Sequence, residues 1–153
     1  MSGWSDEVHA TLTGTGRLAT VDPNVPHGGS RIAFSPALGG APDAQSATPE
    51  HLLASASVSC WLLTFADAAQ RLRIEIVRAS ASARIDVVSD GPGFKIDAIE
   101  LRPELVVRGE RDVLLAIVKR ACDIAGRYCI VEKALRPGVA RYEVIPSITF
   151  EPR

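Results

Sequence analysis

An α+β fold, with antiparallel sheets around a central buried helix, is what this sequence predicts, and three observations predict it. Residues 73–89, RIEIVRASASARIDVVS, and 93–107, GFKIDAIELRPELVV, alternate apolar and polar residues with the period of a strand. Residues 48–70 and 110–126 carry apolar residues at helical spacing instead. The segments run strands, helix, strands, helix, strand, an order that suits segregated layers rather than repeated βαβ units. The 153 residues are read as one domain, since that length supports one core and leaves little for a second.

In chain order, EVHATLTG sets Val8, Ala10 and Leu12 against His9, Thr11 and Thr13, and GSRIAFS sets Ile32 and Phe34 against Arg31 and Ala33. Both read as strands, joined by the breaker-rich loop TVDPNVPHGG. A second loop, PALGGAPDAQSA, leads to Thr48-Pro49, where the hydroxyl is the expected N-cap and the proline the first helical residue. The helix that follows is apolar on most sides, so it should be central or covered by a second subunit. DGPG is the turn of an antiparallel pair with one solvated face. A phase shift between Ala98 and Ile99 predicts a bulge in its second strand. Residues 110–126 form the second helix, with Gly126 as its breaker. CIVEKALRPG opens a brief third helix near Cys129, and ARYEVIPSITF is a closing strand.

Composition narrows the function. A hydrophobic share of 46% and a charged share of 23% are those of a soluble globular protein. A net charge of −1 and a pI near 6.3 leave no basic excess for nucleic acid or an anionic membrane, so neither is an expected partner. The N-terminus lacks a secretory pattern, and the serines of the first helix dilute its apolar run, so a membrane span is not expected. Three cysteines without CxxC spacing suit a reducing cytoplasm rather than a disulfide scaffold or a metal site. His9, His27 and His51 are scattered, GTGRLA lacks the spacing of a phosphate loop, and the aromatics are too few for a base-stacking platform. No metal and no cofactor are expected.

Three residues can be read two ways. Glu50 is a first-turn carboxylate that the helix dipole favours on its own account, and Cys60 is of the residue type most often buried as packing. Arg17, in TGTGRLAT, reads as a solvated turn residue unless the fold returns it to Cys60. Cys122, on the second helix, reads as packing.

The segment TPEHLLASASVSCWLLTF resembles the Pro-Glu-Leu-Leu helix with an embedded cysteine found in the OsmC/Ohr family of osmotically inducible and organic hydroperoxide resistance proteins. AGRYCIVEKAL resembles that family's second cysteine segment, and IELRPELVV is similar to one of its strands; together they span about residues 8 to 150. The resemblance implies a thiol-dependent peroxidase of the oxidative stress response, built as an intertwined homodimer with each active site at the subunit interface. Cys60 then matches the peroxidatic cysteine, Cys129 the resolving one, and Glu50 the carboxylate that positions a catalytic arginine, assigned to Arg17 with Arg31 as the fallback. The partners implied are a small hydroperoxide and an external dithiol, lipoyl-type dithiols included. The chain departs from the family pattern at Ile130, Val131 and Glu132 after the second cysteine, and at Trp61 after the first.

The chemistry stands on its own. The thiolate is the nucleophile, and a mid-helix Cys60 among apolar neighbours needs a cation to hold it ionised. An arginine suits, because it stays charged when desolvated and its fork can hold a carboxylate and a thiolate together. Attack on an O–O bond gives a sulfenic acid, which a second thiol condenses to a disulfide that an external dithiol reopens. Cys129, at the start of a short helix, is expected to be partly activated by its dipole. Leu, Phe and Trp near Cys60 should favour organic hydroperoxides over hydrogen peroxide. The alternative is a non-catalytic module of the same fold, either a small-ligand-binding protein or a thiol redox sensor.

Overall fold

The computed structural model describes residues 4–13 and 49–152. The predicted strand GSRIAFS, its two flanking loops, the Thr48 cap, Arg17 and Arg31 lie outside the described residues.

Helix α1 spans Pro49–Arg71 with Glu50 in its first turn. Its hydroxyls are hidden by bonding one turn back: Ser55 donates to the His51 carbonyl at 2.8 Å, Ser57 to Leu53 at 2.9 Å and Thr64 to Cys60 at 2.8 Å. A helix studded with serine can therefore be a core helix, and Ala54, Val58, Trp61, Leu62 and Phe65 are all buried. By length and composition α1 could cross a bilayer, but its packing is that of a core helix. At its end Ile74 N–H reaches back to the Ala69 carbonyl at 2.9 Å and Arg73 N–H to Gln70 at 3.1 Å, with Arg73 in the left-handed region at φ 56°.

Strands β2 (Ile76–Asp90) and β3 (Gly93–Arg108) form the antiparallel pair. Gly91 at φ 59° followed by Pro92 gives the two-residue turn the backbone that a tight hairpin needs. The predicted bulge is at Asp97: Asp86 faces Ala98 while Val87 faces Ile96. The Asp97 carbonyl is taken up by Ala140 N–H at 2.9 Å. Strand β1 (Trp4–Thr13) adds antiparallel to β2, bringing Val8, Ala10 and Leu12 opposite Ala83, Ala81 and Ala79.

The closing segment differs from its prediction. It is two strands, β4 (Arg141–Val144) and β5 (Ser147–Glu151), and both run parallel to β3. Their registers share one offset that places Pro146 opposite Pro103, where neither residue has an N–H to give the ladder. Among the described residues the sheet is thus single, five-stranded and mixed. The crossover from β3 to β4 runs through α2 (Arg111–Tyr128) and α3 (Ile130–Leu135).

Small residues decide the layering. Ala79, Ala81 and Ala83 line the inner face of β2, letting α1 lie close on the sheet, and Val118, Ala121 and Ala125 seat α2 on α1. The helix α1 is therefore central, between sheet and α2, as its all-round apolar pattern predicts. One strip remains uncovered: Ala56 and Leu63 are exposed, the latter by 45%, and Cys60 between them is partly exposed.

Candidate functional site

Cys60 sits on α1 and Cys129 at the junction of α2 and α3, and their thiols are close enough for Cys60 to add to the upward shift of the Cys129 pKa. Sixty-eight residues of chain separate them; packing of α3 on α1 brings them together. Both are free cysteines. Cys129 is fully buried, Cys60 only partly, so the pair has an inner and an outer sulfur.

The backbone at Cys129 breaks at φ −62°, ψ 109°, ending one helix and starting the next. The helix α2 runs through Gly126, which is not the breaker its type suggests. A Cβ there would meet the Glu132 carboxylate at 3.8 and 3.9 Å, an ordinary contact distance, so Gly126 lies directly against the buried Glu132 side chain. The Glu132 N–H donates to Cys129 Sγ at 3.4 Å. That bond favours the thiolate, but burial dominates, the Cys60 thiol and the Glu132 charge add to it, and the Cys129 pKa is pushed up to about 12. The expected activation by the short helix is outweighed, and Cys129 is a thiol at neutral pH.

Sequence reasoning noted Glu132 only as a departure from the family pattern, and it missed the cluster that Glu132 anchors. Arg136, one turn on, donates through Nη2 to Glu132 Oε1 at 2.5 Å and through Nη1 to the Tyr142 carbonyl at 3.0 Å. The guanidinium also covers the Tyr142 ring at 5.1 Å. The buried Tyr142 hydroxyl faces Ser57 without a hydrogen bond of standard geometry, and burial is the first cause of its upward pKa shift. The i, i+4 spacing of Glu132 and Arg136 was the available signal.

A cleft of about 440 Å³ borders this cluster, with Trp61, Cys122, Gly126, Glu132 and Arg136 in its wall. Trp61 Nε1 and Glu132 Oε2 are buried there without partners among the described residues. Burial and the nearby Asp123 push Cys122 up to about 12, as suits a packing thiol. Trp61 and Phe65 stack at 5.5 Å inside the core, so neither is an open surface for an apolar tail. Leu63 is a large apolar neighbour of Cys60 that solvent reaches.

Glu50 does not join the cysteines within one chain. Ten residues of α1 separate it from Cys60, about 15 Å of helix axis. Arg136 hydrogen-bonds to Glu132 and Tyr142 and to neither thiol. No group of three or more metal-ligating side chains occurs among the described residues.

A mixed sheet carrying a buried central helix, with one thiol on that helix and a second folded back against it, defines a two-cysteine α+β protein. The family model for OsmC-like proteins matches residues 42–141, and the chain belongs to that family. Solved structures share the fold at low identity. An OsmC-like protein of unknown function from Vibrio cholerae is 18% identical, with 97% of this chain and 99% of that one covered at a TM-score of 0.61. An organic hydroperoxide resistance protein OsmC from Legionella pneumophila is 19% identical, with 94% and 96% covered at 0.56. An organic hydroperoxide resistance protein from Elizabethkingia anophelis is 20% identical, with 78% and 79% covered at 0.55. No curated protein matches the sequence.

Proposed function

We propose that this chain is a cysteine-based peroxidase that reduces organic hydroperoxides, acting as a cytoplasmic homodimer supplied with electrons by an external dithiol. The observation that carries the reading is the closeness of the Cys60 and Cys129 thiols, near enough to act on each other's titration, inside an OsmC-like fold. Cys60, the more accessible sulfur, attacks the peroxide: its S–O bond forms as the O–O bond breaks, and the alcohol leaves. Cys129 then displaces water from the Cys60 sulfenic acid, and the disulfide shields Cys60 from irreversible oxidation. A dithiol reduces the bridge and restores both thiols.

Two features support the dimer. The strip of Ala56, Cys60 and Leu63 on α1 is apolar and wholly or partly exposed among the described residues. Glu50 lies too far along the helix to share a guanidinium with Cys60 of its own chain, but a second copy packed with its α1 antiparallel would bring Glu50 across. Arg17, with Arg31 as fallback, is the proposed guanidinium. Leu63 on the same strip favours a hydroperoxide with an apolar tail.

Steady-state peroxide consumption with cumene hydroperoxide and a dithiol tests the reading. Cys60→Ser should abolish it, while Cys129→Ser should allow a first turnover and leave Cys60 as sulfinic acid. Multiple turnover retained by Cys60→Ser would reject the mechanism.

A further inference from the structure

The fold buries Glu132 to 5% exposure beside a fully buried thiol, a costly placement for a carboxylate. One oxygen, Oε1, is paired with Arg136; the other, Oε2, has no partner among the described residues and lies beside the Gly126 wall of the cleft. The backbone N–H of the same residue is 3.4 Å from Cys129 Sγ. A charge is thus clamped at one oxygen, left open at the other, and held on the residue that touches the inner sulfur.

The resolving step needs such a group. Cys129 must lose its proton as its sulfur bonds to Cys60, and the hydroxyl leaving Cys60 must gain one. Burial pushes the Cys129 thiol well above neutral pH, so little of it is thiolate and ionisation by solvent alone is slow.

Resting on the peroxidase reading above, we propose that Glu132 is the proton acceptor for Cys129 during disulfide formation. The proton passes from Cys129 to Glu132 Oε2, directly or over one water, and on to the departing hydroxide. The S–S bond forms, the Cys60 S–O bond breaks, water leaves, and Glu132 ends as it began. The charged and titratable groups around the cluster come from each packed element. Arg136 caps the end of α3, Tyr142 stands on β4 and Cys60 on α1, while Cys122, Asp123 and Arg127 of α2 share the cleft. Asp123 is exposed, which leaves Glu132 as the buried carboxylate of the cluster.

The test follows disulfide formation after one equivalent of cumene hydroperoxide, by rapid quench and mass spectrometry, from about pH 6 to about pH 10. Glu132→Gln should slow the step about 100-fold or more at neutral pH and make it climb with pH, and Glu132→Asp should recover part of the rate. Arg136→Met, which removes the clamp but keeps the carboxylate, should retain a neutral-pH rate well above that of Glu132→Gln. Equal losses in Glu132→Gln and Arg136→Met with an unaltered pH profile would reduce Glu132 to a structural anchor and overturn the assignment. So would a wild-type rate in Glu132→Gln. If the wild-type chain forms no Cys60–Cys129 disulfide, the peroxidase reading falls and takes this inference with it; if it does, the variants judge Glu132 alone.

Discussion

Cys129 uses three atoms for three purposes. Its N–H closes α2 on the Ala125 carbonyl at 2.9 Å, its carbonyl opens α3 by accepting from Lys133 at 3.1 Å, and its sulfur accepts from Glu132. The thiol is thereby fixed in direction by backbone on both sides, so its meeting with Cys60 depends on helix geometry more than on rotamer choice. Backbone conformation matters equally at Gly109, the buried link from β3 to α2, which donates to the Glu151 carbonyl at 2.7 Å. Its φ of 132° suits no L side chain, and an added Cβ would lie 2.6 Å from Leu114 Cδ1. The leucine tip can swing away, but the backbone strain stays. Gly109→Ala is therefore predicted to cost about 1–3 kcal/mol in urea unfolding, and an unchanged midpoint would show that the link has another conformation available.

At the scale of elements, what was legible in the sequence was local periodicity. Alternation along β2 matches its burial residue by residue, from Ala79 to Val87, because one face of the sheet is packed and the other carries ion pairs such as Arg84–Asp86 at 2.8 Å. The bulge was legible because an extra residue inverts the pattern where Asp97 interrupts it. What periodicity does not encode is partner and direction. ARYEVIPSITF reads as one strand, but its parallel pairing with β3 and its break depend on Pro103, forty-three residues upstream of Pro146. Gly126 misled because a glycine near a helix end looks like a stop signal, whereas α2 runs two residues past it to Tyr128. The two cysteines were legible as a pair through the family resemblance, and the buried Glu132–Arg136 cluster was not, since exposure of charged residues is the default assumption.

Across the whole molecule, three protonated groups lie buried or half-buried in and beside the α2–α3 region. Cys122 and Cys129 are pushed up from 9.0 to about 12, and Tyr142 upward from 10.0. Each binds its proton more tightly folded than unfolded, so its contribution to stability is complete below the unfolded value and is lost as pH rises toward the folded one. Stability should hold to about pH 9 and then fall, at up to about 1.4 kcal/mol per pH unit for each proton released. Urea midpoints measured from about pH 8 to about pH 11 check this, and a flat profile would mean that these groups are already solvated in the folded chain.

The account as a whole depends on two sulfurs meeting. Treatment with one equivalent of cumene hydroperoxide, followed by intact mass and non-reducing peptide mapping, measures this directly. The predicted result is the loss of two hydrogens per chain and a bridged peptide pair containing Cys60 and Cys129, with Cys122 still alkylatable. An unchanged mass, or a bridge that uses Cys122 or joins two chains, would contradict it.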